Sequence, residues 1–120
     1  MREFITLTKA LADPSRVRVL LALRKQELCV CQIVELLQLA PSTISRHLSS
    51  LHHAGLISSR KDERWIYCRL PDKEVPVVVR EAIAWTLQSL AKSPQAKADA
   101  KSLKKIRKLE PTALCRRQKC

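Results

Sequence analysis

A chain of 120 residues with 23 Lys/Arg against 11 Asp/Glu, a formal charge of +12, suits one domain with a strongly basic surface. No apolar run nears the length of a membrane span, and the opening M-R-E-F-I-T-L-T-K-A has no secretion-signal pattern, so a cytoplasmic protein without membrane contact is expected. Such basicity points to nucleic acid as partner, while an aromatic content of 3% speaks against base-stacking platforms for RNA or single strands. In a reducing compartment, five cysteines argue for metal or redox chemistry rather than a disulfide frame, and the odd count agrees.

The single glycine, Gly55, leaves little material for tight turns, so a mainly α fold is expected. A first helix is read over Phe4 to Ala12. Asp13-Pro14 is an N-cap with proline at the first helical position, opening a second helix to about Lys25. A third starts near Val30, with Val30, Ile33, Val34 and Leu37 as its buried stripe. Leu39-Ala40 makes the turn into a fourth, which opens at Pro41 and ends at Gly55 in a left-handed cap. Two helices joined by so short a turn make a helix-turn-helix. Leu56 to Arg60 and Trp65 to Leu70 read as a β-hairpin, a wing, around the polar turn Lys61 to Arg64. Asp72 caps a last long helix to about Lys92, with Pro76 in its first turn. Apolar residues on more than one side of that helix, including Val75, Val78, Ile83, Trp85 and Leu90, predict a homodimer through it and the first helix.

The division expected is therefore 1–93, a DNA-binding and dimerisation domain, and 94–120, a basic tail holding cysteines. The tail carries nine Lys/Arg against Asp99 and Glu110. It reads either as an amphipathic helical piece around Leu103 and Ile106 or as disordered chain.

Ser42, Thr43, Ser45, Arg46 and Ser49 occupy the outward face of the fourth helix, which has almost no acidic residue. Small hydroxyls at a helix start reach phosphates and base edges, and Arg46 can grip a guanine with two hydrogen bonds. Lys61 and Arg64 extend this double-stranded DNA-binding face onto the wing. Of the histidines, His47 is read as half-buried and hydrogen-bonded, and His52 and His53 as caps at the helix end.

Cys29 and Cys31 stand two apart, a spacing that diverges on a regular helix, so joint chelation is expected to require unwinding of the helix start. Cys31 lies off the apolar stripe, whereas Cys29 can face the core. Cys68 reads as structural. All-thiol ligation favours a soft ion.

Leu28-Cys29-Val30-Cys31 resembles the thiol box of arsenic-responsive repressors in the ArsR/SmtB family. Ser42 to Leu48, S-T-I-S-R-H-L, is similar to that family's recognition helix. Leu11 to Arg16, Ala54 to Ile57 and Arg64 to Tyr67 resemble its opening, its helix-wing junction and its second wing strand. The resemblance spans residues 7–92. It implies a winged-helix homodimer that represses its own arsenic-resistance operon and dissociates on binding As(III) or Sb(III) as inducer. One position departs: Val34 stands where the box often has a third cysteine. Cys115 and Cys120 are the candidates to complete the metal site, the alternatives being that a small-molecule thiol supplies the third ligand or that only two thiols are used. The alternatives are a repressor switched by oxidation of the same thiols, and an architectural DNA-binding protein whose thiols are incidental. No catalytic constellation or phosphate loop is legible, so neither an enzyme nor a catalytic cofactor is expected.

Overall fold

The computed structural model describes residues 1–118. Helices α1 (Arg2–Ala10) and α2 (Pro14–Ala22) meet at Asp13. There the Asp13 carboxylate accepts from the backbone N–H of Ser15 (2.8 Å) and of Arg16 (3.3 Å), and Pro14 takes the first helical position, as expected. A short strand β1 (Leu28–Cys29) then runs directly into helix α3 (Val30–Leu37). Gln38 ends α3 in the left-handed region at φ 55°, and helix α4 (Pro41–His53) follows after the turn. Gly55, at φ 78°, closes α4: its N–H donates to His52 O and that of Leu56 to Leu51 O, both at 3.0 Å. This is the helix-turn-helix read from the sequence.

The wing is strands β2 (Ser58–Asp62) and β3 (Trp65–Arg69), paired from Ser58 with Arg69 to Asp62 with Trp65. Its two-residue turn puts Glu63 at φ 55°, the left-handed backbone such a tight hairpin demands. The sheet has three strands rather than the hairpin's two. β1 pairs antiparallel with β3, Leu28 opposite Cys68 and Cys29 opposite Tyr67, giving the order β1-β3-β2. With only two residues, both buried, this strand carries no periodicity in the sequence.

Helix α5 (Val77–Leu90) starts five residues later than Asp72. Pro76 is its N-cap, and proline drives the preceding Val75 away from helical backbone. Asp72 instead accepts from Arg69 Nη1 at 2.9 Å. Ser93-Pro94 does more than end α5. The Ser93 hydroxyl accepts from Ala96 N–H (3.2 Å) and opens helix α6 (Pro94–Ile106), the same device as Asp13-Pro14. Helix α7 (Pro111–Arg117) follows. So most of residues 94–118 is helix, in two pieces: α6 packs on α2 and α3, and α7 on α3. Leu103, Ile106 and Leu114 join the same buried cluster as Leu20, Ile33, Ile44 and Leu51. This explains why Val19 to Leu23 are all buried, beyond the single stripe an uncovered α2 would need.

Among the described residues, no helix is long and apolar enough to cross a membrane. Phe4 and Ile5 on α1 and Val77, Val78 and Trp85 on α5 stay exposed, Trp85 at 67%. These two helices are in contact, so the exposed apolar side chains lie on neighbouring elements.

Candidate functional site

Ile44 and Leu51 are buried, and they fix which side of α4 faces water. Ser42, Ser45, Arg46 and Ser49 are exposed on the other side, with Thr43 partly so. Arg46 Nη2 lies 3.5 Å from Thr43 Oγ1, a contact loose enough for the guanidinium to be taken by a stronger acceptor. His47 is half-buried, its Nδ1 3.5 Å from Arg16 Nη1, while Arg16 is anchored to the carbonyls of Ala10 (2.8 Å) and Lys9 (2.9 Å). His52, in the last turn of α4, lies 3.1 Å from the Ser59 hydroxyl, tying α4 to the wing.

On the wing, Lys61 and Arg64 are exposed, and Arg64 lies over the Trp65 ring at 4.8 Å. Arg60 is committed elsewhere. It donates to both oxygens of Glu27 (2.6 and 2.9 Å) and stacks over Tyr67 at 4.6 Å. The Glu27 carboxyl is held below the usual carboxylate range by that hydrogen-bonded guanidinium. Glu27 and Tyr67, missed from the sequence, thus join the wing to the segment carrying the thiols.

The thiol pair corrects the expectation of divergence. Cys29 is the N-cap of α3, with extended backbone at φ −66° and ψ 147°, and Cys31 is in the first turn. This geometry turns the two sulfurs towards each other, 2.6 Å apart, with α3 intact. Two thiolates on one ion, at bonds like the Zn–S length, sit about 3.4–3.8 Å apart. Chelation therefore needs the sulfurs to open by about 1 Å, within reach of side-chain rotation, and no helix unwinding. Cys31 is also not on an open face: it is 6% exposed, beside α7, where Gln118 Nε2 donates to Cys31 O (2.8 Å) and Arg117 pairs with Glu35 (2.9 Å).

A cleft of about 730 Å³ opens beside the pair, with walls from α3, the wing and α7. Cys29, Cys31 and Cys115 all line it. Cys115 is itself disulfide-bonded, and Cys120 lies outside the described residues. Among the described residues, no three His, Cys, Asp or Glu side chains are grouped to hold a metal ion. The structure brings together two of the four expected ligands and sets a third on the same cleft. Cys68 is 2% exposed in β3, behind the pair, in keeping with a structural role.

The two sulfurs share one charge readily. The hydrogen bond from Cys31 pulls the Cys29 thiol down to about 7 against the opposing effect of burial, helped by the N–H groups of Cys31 and Gln32. Cys31 is pushed up by the same hydrogen bond and by burial. Burial raises Cys68 to about 11. Alkylation of Cys29 should therefore rise as pH passes through about 7 and fall away below it, while Cys68 stays unreactive until strongly alkaline pH. Mass spectrometry of iodoacetamide-treated protein across pH checks this; a Cys29 profile centred near 9 would remove the shared thiolate.

Residues 13–59 match the family model described as bacterial regulatory protein, arsR family. The arsenic resistance transcriptional regulator ArsR1 of Pseudomonas putida is 45% identical over 80 residues, 63% of this chain and 62% of that protein. ArsR2 of the same organism is 38% identical over 82 residues, 68% of this chain and 70% of its own length. Among solved structures, the transcriptional regulator HlyU from Vibrio vulnificus is 35% identical, with a TM-score of 0.58 over 74% of this chain and 88% of that one. The chain thus spans about three fifths of the length of ArsR1, and more of ArsR2.

Proposed function

Because the chain belongs to the ArsR family of bacterial regulatory proteins, we propose that it is a DNA-binding repressor of an arsenic-resistance operon, released from its operator when As(III) or Sb(III) binds its cysteine thiolates. The observation that carries this reading is the place of the thiol pair. Cys29 caps the helix that buttresses α4 and pairs in the sheet with β3 of the wing, so one small movement of its sulfur is felt by both. A ligand need not touch DNA; it has only to bind better to the arrangement in which α4 and the wing no longer fit the duplex together. Cys29 and Cys31 are the primary ligands. Cys115, once reduced, Cys120 or a small-molecule thiol supplies a third where the ion requires one.

Ser42, Thr43, Ser45, Arg46 and Ser49 are proposed to meet the major groove, with Lys61 and Arg64 on the flanking backbone or minor groove. Arg46→Ala should cost about 1–3 kcal/mol of specific binding and relax one base position. Fluorescence anisotropy against operator and single-base variants reads this; equal loss on every sequence would make Arg46 a phosphate contact only.

The protein is proposed to act in the cytoplasm as a homodimer through α1 and α5, which carry the exposed Phe4, Ile5, Val77, Val78 and Trp85. Two α4 helices would then meet successive major grooves, about 10 base pairs apart. Residues 1–93 carry these functions in this reading, and 94–120 add a basic, cysteine-bearing segment. Trp85→Glu, exposed in the single chain, should leave the fold intact but yield monomers with weakened operator binding. Sedimentation at micromolar concentration decides it, and a wild-type monomer there would overturn the proposal.

A second reading rests on the 2.6 Å sulfur contact, which also suits an intramolecular disulfide formed by peroxide. A gel shift titrated separately with arsenite and with peroxide separates the two.

A further inference from the structure

Helix α7 lies on α3, with Leu114 wholly buried. Two polar contacts fix how it sits: Arg117 pairs with Glu35 at 2.9 Å, and Gln118 Nε2 donates to Cys31 O at 2.8 Å. The Arg117 pair neutralises Glu35 beside the turn into α4, because Gln38, Leu39 and Pro41 wall the same hollow as Glu35 and Arg117. Arg116, the neighbouring residue, is exposed, and among the described residues it forms no ion pair.

The place of Arg116 is the second observation. Helix α7 makes one wall of the cleft whose other walls include Pro41, the first residue of α4, and Arg64 and Trp65 of the wing. Arg116 and Arg64 line that one cleft, and none of the described residues lining it is Asp or Glu. Two guanidiniums gathered without a counter-charge raise the local positive potential, and an anion drawn to them lowers it. A duplex with its major groove on α4 and its flanking backbone at the wing supplies that anion, since the strand between the two carries a phosphate at every nucleotide.

Resting on the reading of α4 and the wing as the DNA-binding face, we propose that α7 is a third DNA-contacting element, and that Arg116 binds a backbone phosphate between the recognition helix and the wing. The contact reads no base. It adds affinity on every duplex and helps to fix the orientation of the protein on it. The Arg117 pair serves the same end, because it keeps the Glu35 carboxylate from repelling the strand.

The test measures binding of the full chain by fluorescence anisotropy on the duplex upstream of its own gene and on an unrelated duplex, from about 50 to about 200 mM salt. Arg116→Ala should weaken both about five- to tenfold near 0.1 M salt and flatten the log–log salt slope by about 1, the signature of one lost phosphate contact. Arg116→Lys, which keeps a point charge, should keep the slope. A slope that Arg116→Ala leaves unchanged overturns the proposal, as does one that Arg116→Lys flattens equally. Tighter binding by Arg116→Ala also overturns it, since α7 would then obstruct the duplex, and so does a loss confined to the upstream duplex. Those results leave α4 standing as the recognition helix. If wild type binds the two duplexes equally and Arg46→Ala weakens neither, the underlying reading fails and the proposal with it.

Discussion

A Cys29→Ser protein should hold operator DNA as wild type does, yet need about 100-fold or more arsenical to release it, the loss typical when the second arm of a two-point contact is removed. Serine is a sound choice at this position. Cys29 is the N-cap of α3, and its N–H already donates to Gln32 Oε1 at 2.8 Å. A serine hydroxyl there completes a capping box of the S-x-x-Q kind, so α3 and the α4 it supports are preserved or slightly strengthened. Cys31→Ala should behave likewise, as a small residue in a site that is 6% exposed. DNA binding and arsenical release, measured by anisotropy on the same preparation, separate sensing from folding. If the double variant releases its operator at the wild-type arsenite concentration, the thiol pair is not the sensor.

The largest stability effect is expected at Asp99→Ala. Arg18 on α2 donates through Nε and Nη2 to the two Asp99 oxygens, each at 2.9 Å, and Gln95 Nε2 donates to the same carboxylate. The side chains are 24% and 8% exposed. Removing the carboxylate leaves a largely enclosed guanidinium without its acceptor, which in a fully buried pair costs about 3–5 kcal/mol. The partial exposure of Arg18 lets water repay some of this, so about 2–3 kcal/mol is expected. In an Arg18→Ala background the same substitution should cost far less, because no charge is then stranded. Urea unfolding of the four proteins of that cycle gives the coupling. Faster proteolysis near Ser93 in Asp99→Ala would show α6 leaving α2. A coupling below about 0.5 kcal/mol would reduce the pair to a surface-type contact.

Both residues of this ion pair are plain in the sequence, but their partnership is not, and the same contrast runs through the protein. What the chain by itself determines is what neighbouring residues decide together. Asp13-Pro14 starts α2, Pro41 starts α4 and Gly55 stops it, because caps and turns satisfy backbone groups only a few residues away. The outward row from Ser42 to Ser49 is legible for the same reason: Ile44 and Leu51 set the phase of the helix. Even the start of α6 was written in Ser93-Pro94, the same signal as Asp13-Pro14.

What tertiary structure alone decided involves partners far along the chain. Leu28 and Cys29 are a strand only because Tyr67 and Cys68 supply the other side of the ladder. That pairing holds Cys29 extended, and extended backbone at the N-cap lets its sulfur meet that of Cys31, where an isolated helix would have sent them apart. Asp99 is buried only because α6 finds Arg18, 81 residues earlier, and Cys31 is enclosed where α7 returns to α3. Local hydrogen-bond chemistry is encoded within a turn or two of chain. Burial and cross-strand pairing are properties of the assembled core, and here they place the two thiols that the proposed function depends on.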